Sequence, residues 1–167
     1  MQLASEKGID KISVKEISKN CGVTTQTFYN HFSDKYELVM WTYKYRIDSL
    51  FECKSENVEW EELVYRYIHE LALDVRFVLN AIRNMKGTDS YIKLAADYLA
   101  EKIVENHKKL KNLEEVPVDY VFQTKLYCYG FTNMIALWLE NGMDVSEEEL
   151  VGLVKRSLPP VFNYHSN

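Results

Sequence analysis

Ser13-Val14-Lys15-Glu16-Ile17-Ser18-Lys19-Asn20-Cys21-Gly22-Val23-Thr24-Thr25-Gln26-Thr27-Phe28-Tyr29-Asn30-His31-Phe32 is the stretch on which the fold turns. It reads as two short helices, 14–20 and 24–31, about the turn Cys21-Gly22-Val23. Ser13 and Glu16 have the spacing of a capping box, in which the serine accepts from the Glu16 amide and the carboxylate reaches back. Ile12 and Ile17 flank it as a hydrophobic staple. Thr24 caps the second helix, with Val23 and Phe28 as its staple. Gly22 allows the left-handed backbone that a tight turn requires. Ile17 and Val23 are spaced to pack the two helices together, with Cys21 as a small buried residue. Phe28 and Phe32 complete that core. Thr25, Gln26, Tyr29 and Asn30 then face outward. Two short helices around a glycine turn form a helix-turn-helix, and neutral donors and acceptors on its second helix suit the edges of bases in a major groove.

Outside this stretch the chain also reads as helical. Proline occurs only at Pro117, Pro159 and Pro160, and glycine six times. Apolar residues recur at three and four, as in Leu63, Tyr67, Leu71, and no strand-like alternation stands out. Helices are expected at about 1–7, 14–20, 24–31, 35–53, 59–73, 75–85, 89–110, 117–141 and 147–158. Ser146 and Glu149 repeat the capping box before the last helix. Pro117 suits a first turn and Gly142 a helix stop. The fold class is all-α, with about nine helices. A small helix-turn-helix domain of three helices, residues 1–47, precedes a larger helical bundle, residues 48–167.

Composition narrows the function. Hydrophobic residues make up 47% of the 167, enough for a real core. No run of eighteen apolar residues or basic-then-apolar leader occurs, so a cytoplasmic protein without a membrane span is expected. Cys21, Cys53 and Cys128 are far apart and form no C-x-x-C pair, so neither a disulfide frame nor a zinc site is expected. The net charge is −5, but residues 1–47 carry seven Lys/Arg against five Asp/Glu, and the acidic excess lies beyond them. The N-terminal part is therefore the one that tolerates phosphate.

Gly22-Val23-Thr24-x-x-Thr27-Phe28-Tyr29-x-His31-Phe32-x-Asp34-Lys35-x-x-Leu38 resembles the recognition segment of the TetR family of transcriptional regulators. Gly8-Ile9-x-x-Ile12-Ser13-Val14-x-x-Ile17 resembles the segment before it. The resemblance implies that Thr24, Thr27, Tyr29, His31 and Lys35 hold phosphates, while Lys15, Thr25 and Gln26 face base edges. A plainer reading stands beside three of these: Tyr29 packed in the core, His31 packed on the next helix, Lys15 solvated. The family's first helix normally starts well before the position matching Met1, so a short first helix is expected. Tyr36-Glu37-Leu38-x-x-Trp41 resembles the branch that regulates dihydroxyacetone-kinase operons, which implies control by a protein partner.

Helix 117–141 carries a second expectation. From Leu126 to Leu139 only Thr132 and Asn133 are strongly polar. A helix apolar on nearly every face is buried on nearly every face, and a second copy is the natural cover for one side. Gly130, Met134 and Trp138 are the expected contacts of this homodimer. Gly130 and Trp138-Leu139-Glu140-Asn141-Gly142 also resemble one branch's dimer-forming segment. The single buried central helix is the alternative.

The larger domain is expected to sense a small molecule in an apolar pocket bordered by some of Tyr65, His69, Tyr98, Phe122 and Tyr127. Arg66, Arg76 and Arg83 are the nearby cations, with outward the commoner orientation. The whole is expected to be a regulator, a repressor by preference, that binds a palindromic double-stranded DNA operator as a dimer. The alternative is a regulator or interaction module answering to a protein partner. No cofactor and no metal are expected. His69-Glu70-Leu71-Ala72-Leu73 starts like a zinc-protease motif but has leucine where the second histidine belongs. No nucleophile–base–acid set or glycine-rich phosphate loop stands out, so enzymatic activity is not expected.

Overall fold

The computed structural model describes residues 2–52, 60–87 and 90–162. Cys53 and the expected helix ends at 1, 53, 59 and 89 lie outside them, as does the side chain of Trp60. Among the described residues there are nine α-helices and no strand. They are α1 (Gln2–Lys7), α2 (Val14–Asn20), α3 (Thr25–Tyr29), α4 (Lys35–Glu52), α5 (Trp60–Leu73), α6 (Val75–Asn84), α7 (Tyr91–Leu110), α8 (Val118–Glu140) and α9 (Glu147–Arg156). Short 3-10 turns occupy Ile9–Lys11 and Pro160–Phe162.

The helix ends follow their local chemistry. Before α2 the full capping box forms: the Glu16 amide donates to Ser13 Oγ at 3.2 Å, and the Ser13 amide donates to Glu16 Oε2 at 2.9 Å. Ser146 Oγ accepts from the Glu149 amide in the same way. The ends of α2 and α8 are Schellman turns. After α2, Gly22 at φ 68° lets the Val23 amide reach Ser18 O. After α8, Gly142 at φ 81° lets the Met143 amide reach Trp138 O. Helix α3 ends at Tyr29, two residues before the expected 31.

One hydrophobic cluster runs from Ile9 to Phe162. Helix α8 packs along α7, and α7 also packs on α4. Helix α9 lies on α5, and α6 touches α1 and α8. The buried residues of α8 form one ridge: Tyr120, Thr124, Cys128, Thr132, Ile135, Leu139. Exposed apolar residues form a second ridge on its outer side: Val118, Phe122, Leu126, Met134, Leu137. The chain thus covers half of the helix, and the reading of it as a single deeply buried central helix does not hold.

Three expectations about packing are corrected. Val23, expected to pack on Ile17 and to staple against Phe28, is 43% exposed, because it follows the left-handed Gly22 and leads out of the turn. Cys21 is exposed, because the Schellman turn swings it outward; Ser18 fills the buried position instead. Trp138 is only 4% exposed, and its indole N–H donates to Val145 O at 2.9 Å. Trp138 therefore pins the end of α8 to the turn before α9 and is not an outward contact. Replacing it by alanine is expected to cost about 3–5 kcal/mol of stability, read by urea denaturation.

The capping box sets a pH dependence. The Ser13 amide, then the Lys7 ammonium, lower the Glu16 carboxyl from 4.5 to about 2. Its folded value lies below its unfolded one, so its stabilisation is complete above the unfolded value and fades as pH falls towards 2. The stability gap between wild type and Glu16→Gln should be open at pH 7 and closed at pH 2 in thermal melts.

Candidate nucleic-acid interface

Helix α3 projects its polar residues outward because its apolar anchor points inward. Phe28 is buried and meets Phe32 at 5.5 Å between ring centres. Thr24, Thr25, Gln26, Thr27, Tyr29, Asn30 and His31 are all exposed. Lys15 is exposed on α2. Tyr29 is 55% exposed and stands edge-on to Phe28, so the reading of it as a core residue does not hold. The structure places these residues, expected to touch DNA, on the surface of the two short helices.

Their hydrogen bonds show what each has to spare. Thr24 Oγ1 accepts from the Thr27 amide at 3.0 Å and lies 2.9 Å from Thr27 Oγ1. Gln26 Nε2 donates to Asn30 Oδ1 at 3.0 Å. Lys35 starts α4 and is partly buried. Its ammonium donates to Asp10 O at 2.9 Å and to Ile12 O at 3.0 Å. Two of its three hydrogens thus hold the 3-10 turn against α4, and one remains for a phosphate. Sequence reasoning missed this tie, because its partners are backbone carbonyls more than twenty residues away.

Helix α4 carries the interface into the bundle. Its buried side holds Val39, Met40, Tyr43 and Ile47. The Tyr43 hydroxyl donates to Ala95 O on α7 at 3.1 Å. Arg46 pairs with Asp74, the residue before α6. Asp48 accepts from the Tyr98 hydroxyl at 2.7 Å and pairs with Lys102 at 2.8 Å. The ammonium groups of Lys44 and Lys102 both lie over the Tyr98 ring. The ties from α4 also escaped sequence reasoning, since each joins residues at least twenty-eight positions apart.

The five residues expected to border one pocket are separated. Tyr127 lines a half-open apolar cavity of about 40 Å³ between α4, α5, α7 and α8, together with Ile47, Leu63, Tyr67, Leu99 and Phe131. Burial pushes the Tyr67 hydroxyl up to about 12 and the neighbouring Cys128 thiol to about 12. Tyr98 lies in a different, open groove of about 550 Å³ with Tyr36, Met40 and Leu94. Tyr65 stacks on His69, whose Nδ1 is 2.8 Å from Glu147 Oε2, in a shallow hollow between α5 and α9. Phe122 is 65% exposed on the outer ridge of α8, away from these three hollows. The reason for the scatter is helical phase: residues spaced for one helix's inner face need not meet the same void. Arg66, Arg76 and Arg83 are all exposed.

The expected dimer contacts divide as well. Met134 is 61% exposed on the outer ridge. Gly130 lies on the same ridge, and a Cβ there would meet nothing within 4 Å. Trp138, as shown above, is buried within the protomer. Among the described residues no helix is long and apolar enough to cross a membrane.

Known proteins resemble both parts of the chain. A family profile described as bacterial regulatory proteins, tetR family, matches residues 1–40. A second, described as transcriptional regulator C-terminal region, matches residues 58–159. The HTH-type dhaKLM operon transcriptional activator DhaS of Lactococcus lactis subsp. lactis (strain IL1403) is 24% identical over 112 residues. That match covers 64% of this chain and 57% of that protein's length. Two solved structures share the fold. A dihydroxyacetone kinase operon activator DhaS superimposes with a TM-score of 0.65 at 18% identity, covering 93% of this chain and 86% of that one. The fatty acid degradation regulator FadR from Bacillus halodurans gives 0.60 at 18% identity, covering 93% and 91%.

The Lys35 tie makes a prediction of its own. Lys35→Ala should destabilise the N-terminal helices by about 1 kcal/mol through the loss of its two carbonyl bonds, read by urea titration.

Proposed function

The chain belongs to the tetR family of bacterial regulatory proteins, and from that premise we propose that it binds a palindromic operator as a homodimer and releases or engages it in response to a signal in the helical bundle. The proposed boundary between the DNA-binding and signalling parts falls within α4, at residues 47–48. The observation that carries the reading is the exposed polar surface of α3 and the turn after it, on which Thr25, Gln26, Thr27, Tyr29 and His31 are all exposed. Hydroxyls and an ammonium donate to phosphates and set register, while the amide reads a base edge. Lys15, exposed on α2, adds a positive charge.

The dimer is proposed to form through the outer ridge of α8, Phe122 through Leu137, with Leu153 of α9 beside it. That ridge is a contiguous apolar surface of a kind soluble proteins cover. Gly130 in its middle leaves room for a partner helix to approach. A twofold axis there would place two α3 helices side by side, and a palindrome with half-sites about 34–36 Å apart would match them.

The signal is proposed to be a small apolar molecule entering the cavity beside Tyr127 and Tyr67, which abuts the C-terminal half of α4. A second reading, a protein partner, is favoured by the size of that cavity. About 40 Å³ holds water-sized occupants, whereas pockets for organic ligands run to roughly 300–1,000 Å³. The relative from Lactococcus lactis is named an activator, and the sense of regulation here is left to the transcription assay.

Binding to duplexes selected from a randomised pool tests the DNA reading. Tyr29→Phe should weaken selected and random duplexes alike. Lys35→Ala should lower the salt slope of log affinity by about one per half-site. Equal affinity and slope in both variants would count against these contacts. Sedimentation tests the dimer: the wild type should be a dimer at micromolar concentration and Met134→Asp a folded monomer, because a charge would be buried without a partner. A wild-type monomer would remove the interface. Stabilisation of the bundle by a small molecule in a thermal screen supports the first signal reading, and co-purification of a specific protein without such a ligand supports the second.

A further inference from the structure

We infer that Asn30 is a positioning residue that sets Gln26 to read an A·T base pair in each half-site, an inference that rests on the proposed binding of DNA through α3. The two residues are one helical turn apart and both exposed. Gln26 Nε2 donates to Asn30 Oδ1 at 3.0 Å. Asn30 is itself held in place, since its backbone amide donates to Gln26 O at 3.0 Å as the cap of α3. The flanking hydroxyls of Thr24 and Thr27 are bonded to each other and leave the Gln26 amide to Asn30.

A glutamine on a bare helix surface visits many rotamers and can present its amide either way round. The Asn30 bond restricts both freedoms. It selects a rotamer that keeps the side chain along the helix. It also couples the amide's orientation to that of Asn30, whose Oδ1 takes the nitrogen end of Gln26 here. One Nε2 hydrogen is consumed. Oε1 and the second hydrogen remain, an acceptor beside a donor. In the major groove adenine offers the complement, an N6–H donor beside the N7 acceptor. Guanine offers two acceptors at that edge, so its O6 would face Oε1 without a hydrogen between them. Free glutamine could turn its amide alone to suit other edges, but the paired one must turn together with Asn30 or lose the bond. The pair therefore discriminates where glutamine alone would tolerate.

The test is selection from a pool of randomised duplexes with the wild type, Gln26→Ala, Asn30→Ala and Asn30→Asp. The wild-type pool should contain one A·T pair per half-site that becomes random with Gln26→Ala. Asn30→Ala should weaken the preference at that same pair by about three- to tenfold and at no other, with unchanged affinity for random duplex and an unchanged melting temperature. Asn30→Asp restores an acceptor for Nε2, so it should keep the A·T preference while lowering overall affinity through its charge. A consensus unchanged by Asn30→Ala overturns the inference and leaves DNA binding standing. So does a G·C pair at the Gln26-dependent position, or a loss spread over all positions together with the melting temperature, which would mark a merely structural role. A wild type that enriches no sequence overturns the DNA-binding reading, and the inference falls with it.

Discussion

Helix α4 is the element on which the rest of the structure depends, because both halves of the chain pack against the same eighteen residues. Its first turns close over the helix-turn-helix: Leu38 and Val39 lie with Ile9, Ile12 and Ile17 around one hollow. Its later turns sink into the bundle, where Tyr43 and Ile47 are almost wholly buried. A helix buried at both ends on different partners cannot rotate about its axis without exposing one of them. Its polar ties add direction to this constraint. Arg46 is held by Asp74 on one side, and Asp48 by Tyr98 and Lys102 on the other. Removing one member of such a partly buried pair strands a charge, so the pairs resist separation more than they stabilise the fold.

This arrangement defines how a signal could travel on the proposed reading. The cavity beside Tyr127 is walled by Ile47, Leu50 and Phe51, the C-terminal half of α4. Anything that enlarges it pushes on that half. The N-terminal half carries Lys35, which is bonded to the turn ahead of α2. Displacement at one end must therefore appear as tilt at the other, because neither end can slip independently. An occupant acts only if it favours one tilt over the other, whatever its affinity. The Lys44–Tyr98–Lys102 stack fixes the resting tilt, since it ties α4 to α7 at mid-length.

The sequence was most legible where local rules act alone. Ser13 with Glu16, Thr24 and Gly22 fix α2, the turn and α3 through contacts no more than five residues apart, and the observed hydrogen bonds match them. The outward set on α3 followed once Phe28 was assigned to the core. Legibility failed where burial depends on a neighbour the pattern does not name. Trp138, Phe122 and Met134 belong to one apolar helix and look alike in sequence. The phase of α8 against α7 and α9 decides that the first is core and the others face outward. Tyr65, His69, Tyr98 and Tyr127 shared an aromatic pattern, yet they sit in three separate hollows. The Asn30 bond to Gln26 was within reach of the spacing rule for helices, and only the assumption that both face solvent independently hid it.

The outer ridge of α8 also limits what the proposed dimer can look like. Burying a large apolar side chain is worth roughly 1.5–3 kcal/mol. Val118, Phe122, Leu126, Met134 and Leu137, supplied by both copies, would together contribute about 15–30 kcal/mol at most. Association costs about 4–15 kcal/mol before any affinity appears. A contact of α8 on α8 alone realises only part of that, because the ends of the ridge, far from a crossing point, would stay wet. Leu153 on α9 is also exposed, and α9 is fastened to α5 by Glu61 with Lys155 and by His69 with Glu147. An interface that includes α9 gains area without new flexibility, since that helix is already ordered. It also joins the partner to α5, and through Leu63 and Val64 of α5 to the wall of the cavity. Dimer contact and signal would then share a helix pair, so a change in the cavity would alter both the tilt of α4 and the angle between protomers.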